Sequence, residues 1–157
     1  MAGVGFARQM ARKTLQELSI ISPPVEVESV AKAHGLTVER FDNWPEKLHG
    51  QLWRGQRVIG INGNDHHTRQ RLTVAHELGH FVLHHDILEF VDHEGTIDDP
   101  EKDLDVEAYE FGGELLMPMR WIKSDYAKIR NAKRLALRYD VSEPALWVRL
   151  LKLGLIK

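Results

Sequence analysis

The chain has 157 residues, room for one domain with a real core, and its 43% hydrophobic and 28% charged residues are ordinary for a globular fold. A net charge of -2 gives no general pull toward nucleic acid or anionic membrane, and the absence of cysteine excludes disulfides and thiolate metal sites. Any metal must be held by histidine and carboxylate, and a reducing cytoplasm is the expected compartment.

The opening MAGVGFARQMARKTLQELSI has no continuous apolar run of the kind a secretory signal needs. Residues 6–18 are instead expected to form an amphipathic helix with Phe6, Met10, Leu15 and Leu18 turned inward. Ser22-Pro23-Pro24 ends it, because proline cannot continue a helix. Residues 25–35 predict a second helix, closed by Gly35 as a left-handed cap. Residues 36–41 alternate apolar and polar, the period of a half-buried strand. QLWRGQRVIGIN, residues 51–62, predicts two strands about a turn near Gly55, with Gly63-Asn64-Asp65 closing the second. A long helix follows over residues 68–85. Residues 86–105 are acidic and aperiodic and are expected to be a surface loop, either a rim favouring basic substrates or a solvated charge run. Residues 104–118 return to helical spacing until Pro118, shorter helices are expected over 119–126 and 131–138, and Ser142 is a good N-cap for a last helix. No apolar run reaches the length of a membrane span.

Within VAHELGHFVLHH, residues 74–85, His76-Glu77-Leu78-Gly79-His80 has the HExxH spacing. Residues four apart stand one above the other on a helix, so two imidazoles can reach one ion while Glu77 sits about 100° around, near a water at the metal. Leu72, Ala75, Leu78, Gly79, Val82 and Leu83 fill one apolar arc, with His76 and His80 at its border. His84 continues the series, but about 12 Å of helix separates it from His76, so it is expected to pack or support rather than ligate. The third ligand has to come from elsewhere. The later helix offers Glu107, Glu110 and Glu114 beside a face of Leu104, Ala108, Phe111 and Leu115. On a wheel Glu107 is nearest that face and Glu110 points outward, although three solvated acids on an exposed stripe would give the same pattern.

RQRLTVAHELGHFVLHH followed by VEAYEFGGELLMP resembles the ImmA/IrrE family of zinc metallo-endopeptidases, which pairs an R-F-T-x-A-H-E-x-x-H-x-x-x-H helix with an E-A-N-x-F-A-x-x-L-L-M-P helix. The likeness extends from the hairpin to the RYDVSEPALWVRLLKLGLI tail. It implies His76 and His80 as zinc ligands, Glu77 as the catalytic acid and Glu107, the E of E-A, as the third ligand. Tyr109 stands where the family has asparagine, and Gly112 where it has alanine. The implied fold is α+β, a small antiparallel sheet packed on a helical zincin-like domain with the HExxH helix central. One metallopeptidase domain is expected over 1–157: N-terminal helices and hairpin to 66, the metal-site helices and loop over 67–118, and a C-terminal helical pair over 119–157.

The expected activity is zinc-dependent hydrolysis of a peptide bond in a regulatory protein, a helix-turn-helix repressor of the Xre type, as in mobile elements and toxin–antitoxin modules. The alternative is a partner that sequesters such a repressor without cutting it. Three ligands leave a position for water, the mark of a catalytic zinc site. His93 or Tyr126 could donate to the oxyanion, and the strand over 57–62 could offer an edge to an extended peptide. Residues 135–155 have the helix, turn and capped helix of a DNA reader but few basic residues, so no direct nucleic-acid binding and no membrane binding are expected.

Overall fold

The computed structural model describes residues 2–84, 89–91 and 100–157. The first helix, α1 (Val4–Glu17), packs through Ala7, Ala11, Thr14 and Leu15, whereas Phe6 is 57% exposed. The inward stripe is thus turned from the expected one: small alanines let α1 approach its neighbour, and Phe6 is left outside. A short α2 (Val27–Ala33) ends as expected, with Gly35 at φ 79°.

Three strands follow, β1 (Thr37–Phe41), β2 (Gly50–Trp53) and β3 (Val58–Asn62). β2 and β3 form the expected antiparallel hairpin about a turn near Gly55, in which Arg57 takes the left-handed conformation at φ 56°. The sheet as a whole is mixed, which corrects the antiparallel expectation: β1 pairs parallel to β3, in the order β1-β3-β2-β4. Residues 42–49 carry the chain past β3 so that β2 lies on its far side. Asn62, buried at the end of β3, fixes that crossing by donating from Nδ2 to the carbonyls of Pro45 and Leu48 at 3.1 and 2.9 Å. β3 is therefore central and has no free edge for a peptide, contrary to expectation. The fourth strand, β4 (Glu89–Val91), pairs with β2 inside the segment expected to be loop. Residues 100–105 of that segment are helical, the start of α4 (Pro100–Leu116), and the others, His93 included, lie outside the described residues.

The long helix α3 (His67–Val82) lies between the sheet and α4 (Pro100–Leu116), and α1 covers another side of α4. Two glycines set the α3–α4 distance. A Cβ on Gly79 would stand 2.9 Å from the Ala108 carbonyl oxygen and 3.1 Å from its Cα, both backbone atoms that cannot yield. A Cβ on Gly112 would meet Ala75 at 3.3 Å, a tight fit that glycine relieves.

The chain closes with α5 (Met119–Ile129), α6 (Ala132–Tyr139) and α7 (Glu143–Lys152). Asn131 caps α6 and Ser142 caps α7, each side-chain oxygen accepting from the backbone N–H three residues on. Buried Arg71 ties α3 to the chain on either side, donating to the carbonyls of Val25 at 2.8 Å and Asp140 at 2.9 Å. Among the described residues no helix is long and apolar enough to cross a membrane.

Candidate metal centre

His76, Glu77 and His80 all lie on the buried side of α3, each with no exposed surface. The two imidazoles stand one turn apart with ring centroids 4.7 Å apart and planes at 86°, so their Nε2 atoms converge to 3.2 Å. A carboxylate closes the triangle. Asp105 Oδ1, from α4, lies 3.2 Å from Nε2 of His76 and 3.2 Å from Nε2 of His80. Burial of Asp105 opposes its ionisation, but hydrogen bonds and charge from the two histidines outweigh this and hold its carboxyl at about 2.

Two nitrogens and one oxygen at mutual distances of 3.2 Å fit a metal ion. Zinc bonds of about 2.0–2.1 Å at tetrahedral angles place neighbouring ligand atoms roughly 3.3–3.4 Å apart, close to what the three side chains present. Three protein donors of this chemistry suit a catalytic zinc with a position left for water.

Glu107, expected as the third ligand, stands elsewhere. Two residues along a helix are about 200° of rotation, so the stripe that brings Asp105 to α3 carries Glu107 away from it. Its Oε1 lies 3.6 Å from where a Cβ on Gly3 would be, beside the N-terminus of α1, where a carboxylate complements the helix dipole. Glu110, expected to point outward, is 5% exposed, and Glu114 is 1% exposed. Glu110 accepts from Arg8 at 2.9 Å and pairs with Lys152 at 3.0 Å. Glu114 pairs with Arg149 of α7 and accepts from the Met119 N–H that starts α5. A signal for Asp105 was present in the small residues Ala108 and Gly112. They mark the closest-approach stripe of α4, and Asp105 is the carboxylate on that stripe.

The surroundings hold the two histidines in place. Tyr109, where the family has asparagine, lays its ring 4.0 Å from that of His76. Arg54, in the β2–β3 turn, donates to the carbonyls of His80 at 2.8 Å and Phe81 at 3.3 Å, satisfying the C-terminal end of α3. Gly50 leaves room for Glu77: a Cβ there would stand 2.4 Å from Thr73 Cγ2 and 2.9 Å from Glu77 Oε1. His84 follows the helix end, exposed and at φ 55°, and takes no part in the cluster. Tyr126 lies under Arg130 on α5, its ring centre 5.2 Å from the guanidinium carbon.

Residues 31–151 match the Peptidase_M78 family, described as the IrrE N-terminal-like domain. The chain belongs to this family. The family model takes its name from peptidases. A solved structure, a Mycobacterium tuberculosis transcriptional regulator, shares the fold over 92% of this chain with a TM-score of 0.71 at 15% identity. The chain covers 46% of that protein, less than half its length. No curated protein matches the chain.

Proposed function

We propose that this chain is a zinc-dependent endopeptidase that hydrolyses a peptide bond in a regulatory protein, with a helix-turn-helix repressor of the Xre type as substrate. The observation that carries the reading is the convergence of His76, His80 and Asp105 at 3.2 Å, with buried Glu77 next along the helix. His76, His80 and Asp105 are the metal ligands, so the carboxylate ligand is an aspartate. Zinc, when bound, supplies Lewis acidity that polarises a carbonyl and acidifies water near neutral pH. Glu77 takes the proton of the attacking water and delivers it to the leaving amine nitrogen. Gly50 leaves the space that the Glu77 side chain occupies, since no larger residue fits at position 50 without displacing it. The tyrosine ring against His76 fixes that imidazole and shields it on one side. Support for a regulatory protein as substrate comes from the family resemblance and from the similarity to a transcriptional regulator.

The test is co-expression with a helix-turn-helix repressor of the Xre type, wild type and Glu77→Gln side by side, followed by intact mass of the repressor. A discrete cut with wild type alone is the expected result. An uncut repressor that co-purifies equally with both forms overturns the catalytic reading in favour of sequestration.

A further inference from the structure

The last three helices differ sharply in charge from the rest of the chain. Residues 119–157 carry ten lysines and arginines against three acids, whereas residues 1–118 carry eleven against twenty. Arg138, Arg149 and Lys152 are neutralised in place by Asp125, Glu114 and Glu110. Lys133 and Arg134 of α6 are exposed and make no ion pair with a described residue.

The same helices hold four of the seven large apolar side chains that are exposed among the described residues: Leu137, Trp147, Val148 and Leu151, at 77, 45, 50 and 56%. On α7 the last three, with Pro144, form a stripe at helical spacing, on the side away from buried Leu146 and Leu150. A helix apolar on both faces is normally covered on both. Between the start of α3 and the α6–α7 corner an open groove of about 470 Å³ runs over Ala136, Val141 and Ala145, with Lys133, Leu137 and the single acid Glu143 also lining it. Through Leu72 and Ala145 it joins a second hollow of about 330 Å³ that reaches Val148 and Tyr109. The Tyr109 ring lies 4.0 Å from that of His76, tilted by 40°, so the groove ends beside the metal cluster.

We propose that the α6–α7 face is the docking surface for an acidic amphipathic helix of a partner protein, laid along α7 toward the metal cluster. Charge decides against the other occupants. A second copy would set Lys133 and Arg134 of one face near the same cations of the other, which like-charge repulsion opposes. Nucleic acid would meet Trp147, Val148 and Leu151, side chains that gain nothing from phosphate. A helix with an apolar stripe and acidic flanks satisfies both the stripe on α7 and the unpaired cations on α6. Docking of this kind goes beyond the proposed hydrolysis and does not depend on it.

The experiment uses the full chain carrying Glu77→Gln, so that a probe is not cut and failure of the hydrolytic reading leaves the binding readout untouched. The probe is a fluorescein-labelled peptide of about 18 residues, with leucines spaced to line one helical face and glutamates between them. Its counterpart has lysine for every glutamate. The expected result is saturable anisotropy for the acidic peptide alone, weakened by salt. Val148→Glu with Leu151→Glu, or Lys133→Glu with Arg134→Glu, should weaken binding by about tenfold or more. All four positions are exposed, and an unchanged circular dichroism spectrum verifies that each variant is folded. Equal binding of both peptides, or no binding of the acidic one, overturns the proposal. So does a dimer in sedimentation that Val148→Glu with Leu151→Glu dissolves, which assigns the face to a second copy. Duplex DNA bound in a manner that Lys133→Glu with Arg134→Glu abolishes assigns it to nucleic acid instead.

Discussion

Replacing Asp105 by asparagine and, separately, Glu107 by glutamine puts the third ligand to the test, because the two carboxylates differ in role but lie two residues apart. Asp105 Oδ1 stands 3.2 Å from both imidazole nitrogens, within about 0.2 Å of the ligand spacing of a tetrahedral zinc site. Changing residues that merely support a ligand already weakens metal binding by about 10–100-fold. Loss of a direct ligand at this geometry should therefore weaken zinc binding by about 100-fold or more, or ~2.7 kcal/mol. Glu107 faces the N-terminus of α1, so Glu107→Gln should leave zinc affinity within about threefold and lower stability by about 0.3–1 kcal/mol, the worth of a carboxylate at a helix start. Zinc competition against a chromogenic chelator reads the first quantity, and urea unfolding of the metal-free chain reads the second. If Glu107→Gln loses zinc as strongly as expected for Asp105→Asn while Asp105→Asn retains it, the convergence of the three side chains is not the metal site.

Gly79→Ala should lower stability by about 1–3 kcal/mol and weaken zinc binding as well, because its methyl meets the Ala108 backbone and must push α4, with Asp105, away from α3; unfolding and chelator competition check the pair of effects. Arg149→Met leaves buried Glu114 with only Arg12, 3.6 Å away, and should cost about 3 kcal/mol, while adding Glu114→Gln should restore part of the loss in urea melts. Burial of Asp125 raises its pKa, but hydrogen bonds from the Tyr139 hydroxyl at 2.6 Å and the Arg138 guanidinium at 2.9 Å outweigh that and hold it below the usual carboxylate range. Its contribution is therefore present above the unfolded carboxyl pKa and lost as pH falls through the depressed folded value. Asp125→Asn should lower stability by about 1–2 kcal/mol at neutral pH, and the gap to wild type should shrink below about pH 4 in unfolding curves measured across pH.

Local rules written into short stretches of chain were legible without a structure. The i, i+4 spacing of His76 and His80 needs only helix geometry to bring two imidazoles to one point, and the two Nε2 atoms do meet at 3.2 Å. Caps behave in the same way: Gly35 and Ser142 act on backbone groups within a few residues, so the side chain, or in Gly35 the lack of one, suffices to place a helix end. The hairpin from β2 to β3 is equally local. Everything that depended on which neighbour covers a surface was decided by the tertiary fold. The parallel pairing of β1 with β3 follows from a chain crossing that Asn62 secures, and strand patterns do not encode direction. Glu110 and Glu114 look solvated on a wheel, but α1 and α7 close over that side of α4 and supply arginine and lysine partners. Choosing Asp105 over Glu107 required knowing which stripe of α4 touches α3. Amphipathicity shows that a helix has a buried side; it does not show which of several packed neighbours each part of that side will meet, and a ligand set drawn from two helices depends on that meeting.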